Sequence, residues 1–355
     1  MMDAQQTPCC AFRADPVESA CTCTGSATTD REIRTTDSTI TFANHLDHFL
    51  ARWSVKRMGH RVEPGLYRLG SPNPESPVMA SANYTLSFDA LRSALAGYDA
   101  FILVLDTQGI NVWCAAGKGT FGTDELVSRI ETAGLASIVT HRKIIVPQLG
   151  APGISAHDVQ RRSGFRVEYG PVRATDLPDY LRTGKATPAM RRVLFPVRDR
   201  IVLAPVEVVH VALPALIVAA ALWFLAGPVA ALAAISAVIA GTILFTVLLP
   251  FIPTKDFSSK GLLLGGVVAI PFAAAFGSAP ALSGWATRIA AITPLLIIPA
   301  VTAYLALNFT GSTTFTSRTG VRKEIFRYVP VMTFMAVSGV ILGIVLGVTR
   351  LLGMI

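Results

Sequence analysis

Phe101-Ile-Leu-Val-Leu-Asp106 stays apolar until it ends on a carboxylate, and Asn111-Val-Trp-Cys-Ala-Ala-Gly-Lys118 follows after a short loop. A run with no polar alternation has no solvent face, as in a strand buried inside a parallel sheet with helices on both sides. The pattern repeats downstream. Thr123 as N-cap, Asp124 and Glu125 in the first turn and Gly134 as a stop predict a helix over 122–134. Lys143–Val146 reads as a second strand, Ser155–Ser163 as a helix, Phe165–Tyr169 as a third strand and Thr175–Thr183 as a third helix. This alternation implies an α/β, Rossmann-like doubly wound sheet, whose ligands bind at the carboxyl ends of the strands. The stretch after Asp106 is such an end, and it carries Cys114.

Upstream, Phe42, Leu46, Phe49, Leu50 and Trp53 recur at helical spacing and predict a helix over 41–62, with the α/β pattern starting at Gly65. Residues 1–40 are polar and rich in Thr, Ser and Asp, the composition of a disordered tail. No apolar stretch near the N-terminus suggests a cleaved secretory signal. Of the five cysteines, Cys9, Cys10, Cys21 and Cys23 crowd this tail; an extracellular disulfide framework would spread them through a small domain. Reduced thiols in a cytoplasmic tail are expected.

After residue 200 the solvent changes. Only Glu207, Asp256 and Glu324 are acidic there, and five segments are apolar over the ~20 residues a bilayer core requires: 206–226, 228–251, 262–279, 287–308 and 328–350. The division expected is a Cys-containing tail over 1–40, an α/β domain over 41–190, a linker over 191–205 and an all-α transmembrane bundle of five helices over 206–355. Pro271, Pro294, Pro299 and Pro330 are tolerable inside spans, where neighbouring helices satisfy the freed backbone groups. Arg191, Arg192, Arg198 and Arg200 precede the first span, Lys255 and Lys260 follow the second, and Arg318, Arg322, Lys323 and Arg327 follow the fourth. By the positive-inside rule the soluble domain lies in the cytoplasm, at the inner membrane, and the C-terminus lies outside. The formal charge of +8 owes much to these loops, so no nucleic-acid partner is expected. Gly339, Gly343 and Gly347 make a small-residue ridge for packing within the bundle or for a dimer face. Glu207, His210 and Arg288 sit near span ends, so the half reads as an anchor rather than a conduction path.

Two motifs are decoys. Gly117-Lys-Gly-Thr-Phe-Gly122 has the dinucleotide spacing but lies too far from its strand, and Val112 and Gly119 replace the glycine and hydroxyl residue of a phosphate loop. His45 and His48 are spaced i, i+3 without thiol or carboxylate partners at matching spacing, and suit an exposed polar face; His141 and His157 suit surface loops. A lone cysteine such as Cys114 is most often a small buried hydrophobe. Here Trp113 supplies a flat surface, Ala115, Ala116 and Gly117 remove bulk, and Lys118 one turn on favours thiolate. A single thiol cannot make a closed zinc site, which takes four ligands, but it suits a metal in a planar macrocycle.

The run from Asn111 to Leu126, NVWCAAGKGTFGTDEL, resembles the cap-helix signature of the corrinoid protein of the two-protein mercury-methylation system. Ser81-Ala-Asn-Tyr-Thr-Leu-Ser-Phe88, Pro147-Gln-Leu-Gly-Ala-Pro-Gly153 and Tyr169-Gly-Pro171 resemble segments of the corrinoid domains of acetyl-CoA-pathway iron–sulfur proteins, and the five-span tail is similar to that of the mercury-methylating family. The resemblance covers about residues 60–355. It implies a cobalamin-like corrinoid bound base-off, with Cys114 as the lower axial ligand of cobalt and the catalytic residue. It implies further that Asn111, Val112, Trp113, Ala115, Ala116, Gly117 and Lys118 form the cap helix, and that Asn83, Gly150, Ala151, Gly153 and Tyr169 line the corrin's other edges. The implied activity is a membrane-anchored, corrinoid-dependent methyltransferase passing a methyl group from cobalt to Hg(II) to form methylmercury. The alternative is a corrinoid methyl carrier of one-carbon metabolism with mercury an incidental acceptor. The implied partners are a ferredoxin-like protein with two 4Fe–4S clusters, a methyl-donating corrinoid or folate enzyme, and membrane lipid. The tail cysteines read as incidental thiols, with Hg(II) capture as the alternative.

Overall fold

A computed structural model describes residues 33–278, 284–313 and 318–354. The four tail cysteines, and the expected disorder of residues 1–32, lie outside them; residues 33–40 of the expected tail are instead ordered, with a strand over Arg34–Thr36 paired to Tyr67–Leu69.

The first described elements are β1 (Arg34–Thr36), α1 (Phe42–Arg52), β2 (Gly65–Leu69), β3 (Val78–Ala82), α2 (Thr85–Ala94) and β4 (Ala100–Leu105). They are followed by α3 (Val112–Lys118), α4 (Thr123–Thr132), α5 (Leu135–Ile138), β5 (Lys143–Val146), α6 (Ala156–Ser163), β6 (Arg166–Tyr169) and α7 (Leu177–Thr183). The strands form one six-stranded sheet in the order β1-β2-β4-β3-β5-β6. Strands β4, β3, β5 and β6 are mutually parallel, while β2 runs antiparallel to β4 and carries β1 parallel to itself. The domain is therefore a mixed α/β sheet.

Strand β4 shows why the apolar run was informative. Phe101, Leu103 and Leu105 face a core with α3, α4 and α6, while Ala100, Ile102 and Val104 face another with α2 and α7. Each large side chain so buried contributes about 1.5–3 kcal/mol. Strands β1, β2 and β3 were not foreseen. The whole of β3, Val-Met-Ala-Ser-Ala, is buried, but Val78 is its one β-branched residue and Ala80, Ser81 and Ala82 are small, so the strand signature is weak.

Three local expectations need correction. The upstream helix stops at Arg52, and the chain continues through a 3-10 turn at Arg57–Gly59. Its apolar stripe, Phe42, Leu46, Phe49 and Trp53, faces outward; the inward face is polar, with His48 Nε2 2.7 Å from Asp89 Oδ2 and His60 Nδ1 2.6 Å from Asp47 Oδ1. His48 is thus a buried-side partner of Asp89, itself bonded by Arg92 Nε at 2.6 Å. At α4 the N-cap is Gly122, because the Thr123 hydroxyl is spent accepting the Ser155 N–H at 2.8 Å.

The second half comprises α8 (Val197–Ile201), α9 (Ala204–Ala226), α10 (Pro228–Ile239) continuing by a π-turn over Ala240–Leu244 into α11 (Phe245–Leu248), α12 (Phe257–Gly277), α13 (Gly284–Asn308) and α14 (Arg318–Leu351). These provide five helices long and apolar enough to cross a membrane. The last starts ahead of its expected span because the basic segment with Arg322, Lys323 and Arg327 is itself helical. The α9–α10 turn needs glycine: Gly227 has φ +91° and ψ 177°, a region only glycine enters readily. A Cβ on Gly261 would come within 2.5 Å of Ala303 Cα, and one on Gly265 within 2.6 Å of Pro299 Cα, so α12 and α13 meet backbone to backbone. The expected glycine ridge is packed tightly at its start, loosely at Gly343 against Thr293, and not at its end. Gly339 packs on Ile297, but nothing lies within 4 Å of a Cβ on Gly347. At the other end of α14, Glu324 accepts from the Ser258 N–H and hydroxyl, both at 3.1 Å, capping α12.

The expected linker is built in. Asp199 of α8 accepts from Arg173 Nη2 at 2.6 Å, and its neighbour Arg200, buried, donates to the carbonyls of Thr246 and Val247 at 3.3 and 3.0 Å.

Candidate functional site

The loop from β4 to α3 is organised by one buried amide. Asn83, at the end of β3 and 1% exposed, accepts through Oδ1 from the Thr107 N–H at 3.1 Å and the Gly109 N–H at 3.0 Å, with the Thr107 hydroxyl at 2.8 Å. Its Nδ2 donates to Asp106 Oδ1 at 3.1 Å, and Asp106 also accepts the Gln108 N–H. Gln108 and Gly109 both hold positive φ, 58° and 72°, so the loop doubles back tightly enough to launch α3. The Asn83 side chain is thus committed to the loop rather than turned towards a ligand.

Helix α3 starts with Asn111 Oδ1 accepting the Cys114 N–H at 2.9 Å and ends at Gly119, φ +90°. Its inner face is Val112, Ala115 and Ala116, all buried in the core under Leu103 and Leu105. Its outer face is Trp113 and Cys114, half-buried, with Gly117 and Lys118 exposed. Only Gly117 leaves open space beside the thiol; Ala115 and Ala116 instead let the helix approach the sheet. The 147–153 loop explains its glycines the same way. A Cβ on Gly150 would lie 2.5 Å from Phe121 Cε1, and one on Gly153 would meet the Phe121 carbonyl and come within 3.0 Å of Ala116 Cα. Gly150 and Gly153 therefore seat this loop against α3, beside half-buried Ala151. Tyr169 likewise braces it, its hydroxyl donating to the Ile154 carbonyl at 2.7 Å.

Burial raises the Cys114 thiol above its ordinary pKa, outweighing Lys118, Arg57 and the Asn111 bond, which lower it. The expected thiolate is thus a thiol in the unliganded chain. Cys114 is the free cysteine of the described residues, among which no group of three His, Cys, Asp or Glu could hold a metal ion.

Beneath Trp113 lies a cavity of about 330 Å³ at the carboxyl ends of β3, β5 and β6, where Ser81, Pro147 and Gly170 meet Asn111 and Val112. Phe195, Asp199 and Leu203 also line it. A cavity of about 590 Å³ adjoins it, sharing Ala90, Leu149, Val172, Ala174, Phe195 and Asp199. Sequence reasoning missed these three residues, since nothing local to residues 195–203 signals that they border the same cavity as β3 and α2.

Residues 53–181 match the family model described as CO dehydrogenase/acetyl-CoA synthase delta subunit. The match is confined to the α/β domain. The chain is similar to the acetyl-CoA decarbonylase/synthase complex subunit gamma of Methanopyrus kandleri, 33% identical over 127 residues, which is 35% of this chain and 27% of the relative. The corresponding subunit of Methanothermobacter thermautotrophicus is 31% identical over 127 residues, again 35% and 27%. That of Methanocaldococcus jannaschii is 31% identical over 128 residues, 36% and 26%. The chain spans about a quarter of the length of these curated relatives. This part of the chain is related to subunits of a multi-subunit acetyl-CoA pathway complex, and the related stretch includes α3 with its thiol.

Proposed function

We propose that the chain is a membrane-anchored, corrinoid-dependent methyl carrier of one-carbon metabolism, with Cys114 as the axial ligand of the cobalt. The observation that carries this reading is the outward face of α3: one half-buried thiol beside a flat indole and an open glycine, at the carboxyl ends of parallel strands. A lone soft donor fits a metal already held by a planar ring and needing one protein ligand, and does not fit a closed four-ligand site. A bound corrinoid supplies a cobalt that accepts and passes on a methyl group.

The chain's own residues then have distinct tasks. Asn111 fixes the start of α3, and the Asn83 hub fixes the loop before it, so Sγ of Cys114 is held in one place. The thiol keeps its proton in the unliganded chain and gives it up from Sγ on ligation. Trp113, half-buried, and Gly117 and Lys118, exposed, would be the residues of α3 to hold a corrinoid, with Lys118 supplying positive charge. Ala151 and Tyr169 support the opposite loop. The basic residues beside the apolar helices favour an arrangement with the α/β domain on the cytoplasmic side of the inner membrane and the C-terminus outside. A ferredoxin-like protein with two 4Fe–4S clusters as reductant, and a corrinoid or folate enzyme as methyl donor, are the partners that the resemblance implies.

A second reading makes Hg(II) the acceptor and methylmercury the product. The Asn111–Lys118 signature favours it, because that stretch resembles the mercury-methylating family specifically. Purified full chain should retain a corrinoid whose cobalt has a sulfur neighbour by X-ray absorption, and Cys114→Ala should lose that neighbour. A wild-type chain that retains no corrinoid overturns the proposal. Given retention, methylmercury formed from sub-micromolar Hg(II), and abolished by Cys114→Ala, selects the second reading over the first.

A further inference from the structure

We infer that α1 and the turn after it, residues 42–58, lie on the anionic headgroup surface of the membrane that the apolar helices cross. This rests on the membrane-anchored half of the reading above and not on the corrinoid. Phe42, Leu46, Phe49 and Trp53 recur at helical spacing and all face outward, Phe42 82% and Phe49 55% exposed. Val55 and Met58 carry the exposed apolar surface past the helix end. Solvated surfaces carry such side chains singly, whereas a contiguous apolar patch marks a face that something covers. The orientation is imposed from the inner side. His48 bonds buried Asp89 and His60 bonds Asp47, so rolling the stripe inward would break both contacts.

Charge selects the occupant. Between Ser38 and Val62 the acid is Asp47, which His60 engages, against Arg52, Lys56, Arg57 and Arg61. Arg52, Lys56 and Arg57 are exposed among Trp53, Val55 and Met58. Aromatic and aliphatic side chains interleaved with Lys and Arg are what an in-plane interfacial helix presents to anionic lipid. Helix α2 prolongs this face without charge: its Asp89 and Arg92 are buried, and Ala90 is exposed. On the opposite face of the sheet α4 and α6 instead display ion pairs, Arg162 with Asp124 and Arg161 with Asp158. Past α2, whose Ala90, Ser93 and Ala94 border a cavity with Leu194 and Phe195, exposed Leu194, Val197 and Ile201 lead into the first apolar helix. The acid of that segment, Asp199, is paired with Arg173. The apolar and basic surface thus continues from the membrane entry to α1, in a chain whose own anchor holds α1 near lipid at high effective concentration. The Met58 carbonyl lies 3.5 Å from where a Cβ on Gly109 would stand, so the covered strip adjoins the loop that launches α3. Seating α1 on lipid brings that loop close to headgroup level.

The test places a benzophenone amino acid at Phe49 of the full chain, in nanodiscs of phosphatidylcholine with or without phosphatidylglycerol, and identifies the photo-adducts by mass spectrometry. The same group at Phe334, outward on α14, reports the membrane-crossing helices, and at His157, exposed on α6, it reports the charged face. Position 49 should give lipid adducts in the anionic nanodiscs, at least about threefold more than in the neutral ones, and position 157 none. Arg52→Ala combined with Lys56→Ala should bring the anionic yield down to the neutral one. Hydrogen exchange of the α1 amides should also be slower in anionic than in neutral nanodiscs, a difference that Phe49→Glu removes. No lipid adduct at position 49, where position 334 gives one, overturns the lipid-seated helix. An adduct to residues 1–32 or to a second copy in place of lipid, or a yield indifferent to phosphatidylglycerol, overturns it as well. No lipid adduct at position 334 overturns the membrane-anchored reading itself.

Discussion

Replacing Asn83 with alanine leaves the Thr107 and Gly109 N–H groups facing a buried gap where Oδ1 stood, at 3.1 and 3.0 Å. The Thr107 hydroxyl is spared, since it can turn to the Ile110 carbonyl at 2.7 Å. Two orphaned backbone donors at about 1–3 kcal/mol each give a loss of about 2–6 kcal/mol. That is a large share of the ~5–15 kcal/mol by which a domain is stable. The loss should appear first in the β4–α3 loop, because the hub bonds end there and the strand ladder does not depend on them. Hydrogen exchange at Thr107 and Gly109 should accelerate about 30-fold to 10⁴-fold, at tenfold per ~1.4 kcal/mol, with β4 amides changing less. Alkylation of Cys114 should accelerate alongside, as α3 loses its fixed start. Unchanged exchange at both amides would refute the idea that this amide positions the thiol helix.

Gly117→Ala should stabilise the unliganded chain by about 0.5–1 kcal/mol, from helix propensity in open space, yet weaken corrinoid binding; a thermal melt and a titration measure the two. Gly153→Ala should destabilise by about 1–3 kcal/mol, because the added methyl meets the backbone of Phe121 and Ala116 rather than a pliable side chain; a melt without ligand suffices, and an unshifted midpoint contradicts the packing. Gly265→Val should disrupt the α12–α13 contact, whereas Gly347→Val should be silent, in a resistance-to-detergent assay. Since burial raises the Cys114 pKa, less thiolate is present at any given pH than in a peptide thiol. Alkylation of the unliganded chain at pH 8 should therefore lag the peptide and catch up only as pH rises beyond the ordinary thiol range.

What the sequence revealed follows from how local each signal was. Strand β4 announces itself because burial on both faces leaves no polar alternation, and the five apolar helices because the faces they turn outward are themselves apolar over the length of a bilayer core. Strand β3 is just as buried but ends in three small residues, Ala80, Ser81 and Ala82, and β1 spans only Arg34–Thr36, so neither leaves a clear pattern. The orientation of α1 inverted the usual rule: its apolar stripe is outside because Asp47, His48, Asp89 and Arg92 tie the polar side inward, a network set by residues far apart in the chain. At the site, the thiol and its helix were legible from Asn111–Lys118. The hub was not, as Asn83 reaches partners on the neighbouring strand's loop. Nor were the tasks of Gly150 and Gly153, which depend on where Phe121 comes to rest.

The reversed direction of β2 has an electrical outcome. Because Gly65 pairs with Val104 rather than with the start of β4, the residues before β2 cross the sheet where β3 and β4 finish. There Val62 donates its N–H to the Asn83 carbonyl at 2.9 Å, and the chain just ahead of it brings the Arg57 cation into the field of Cys114. Had β2 run alongside its neighbours, that guanidinium would have been delivered to the opposite rim. The direction of a single strand thereby adds a second cation to the one Lys118 already supplies near a sulfur on a distant helix.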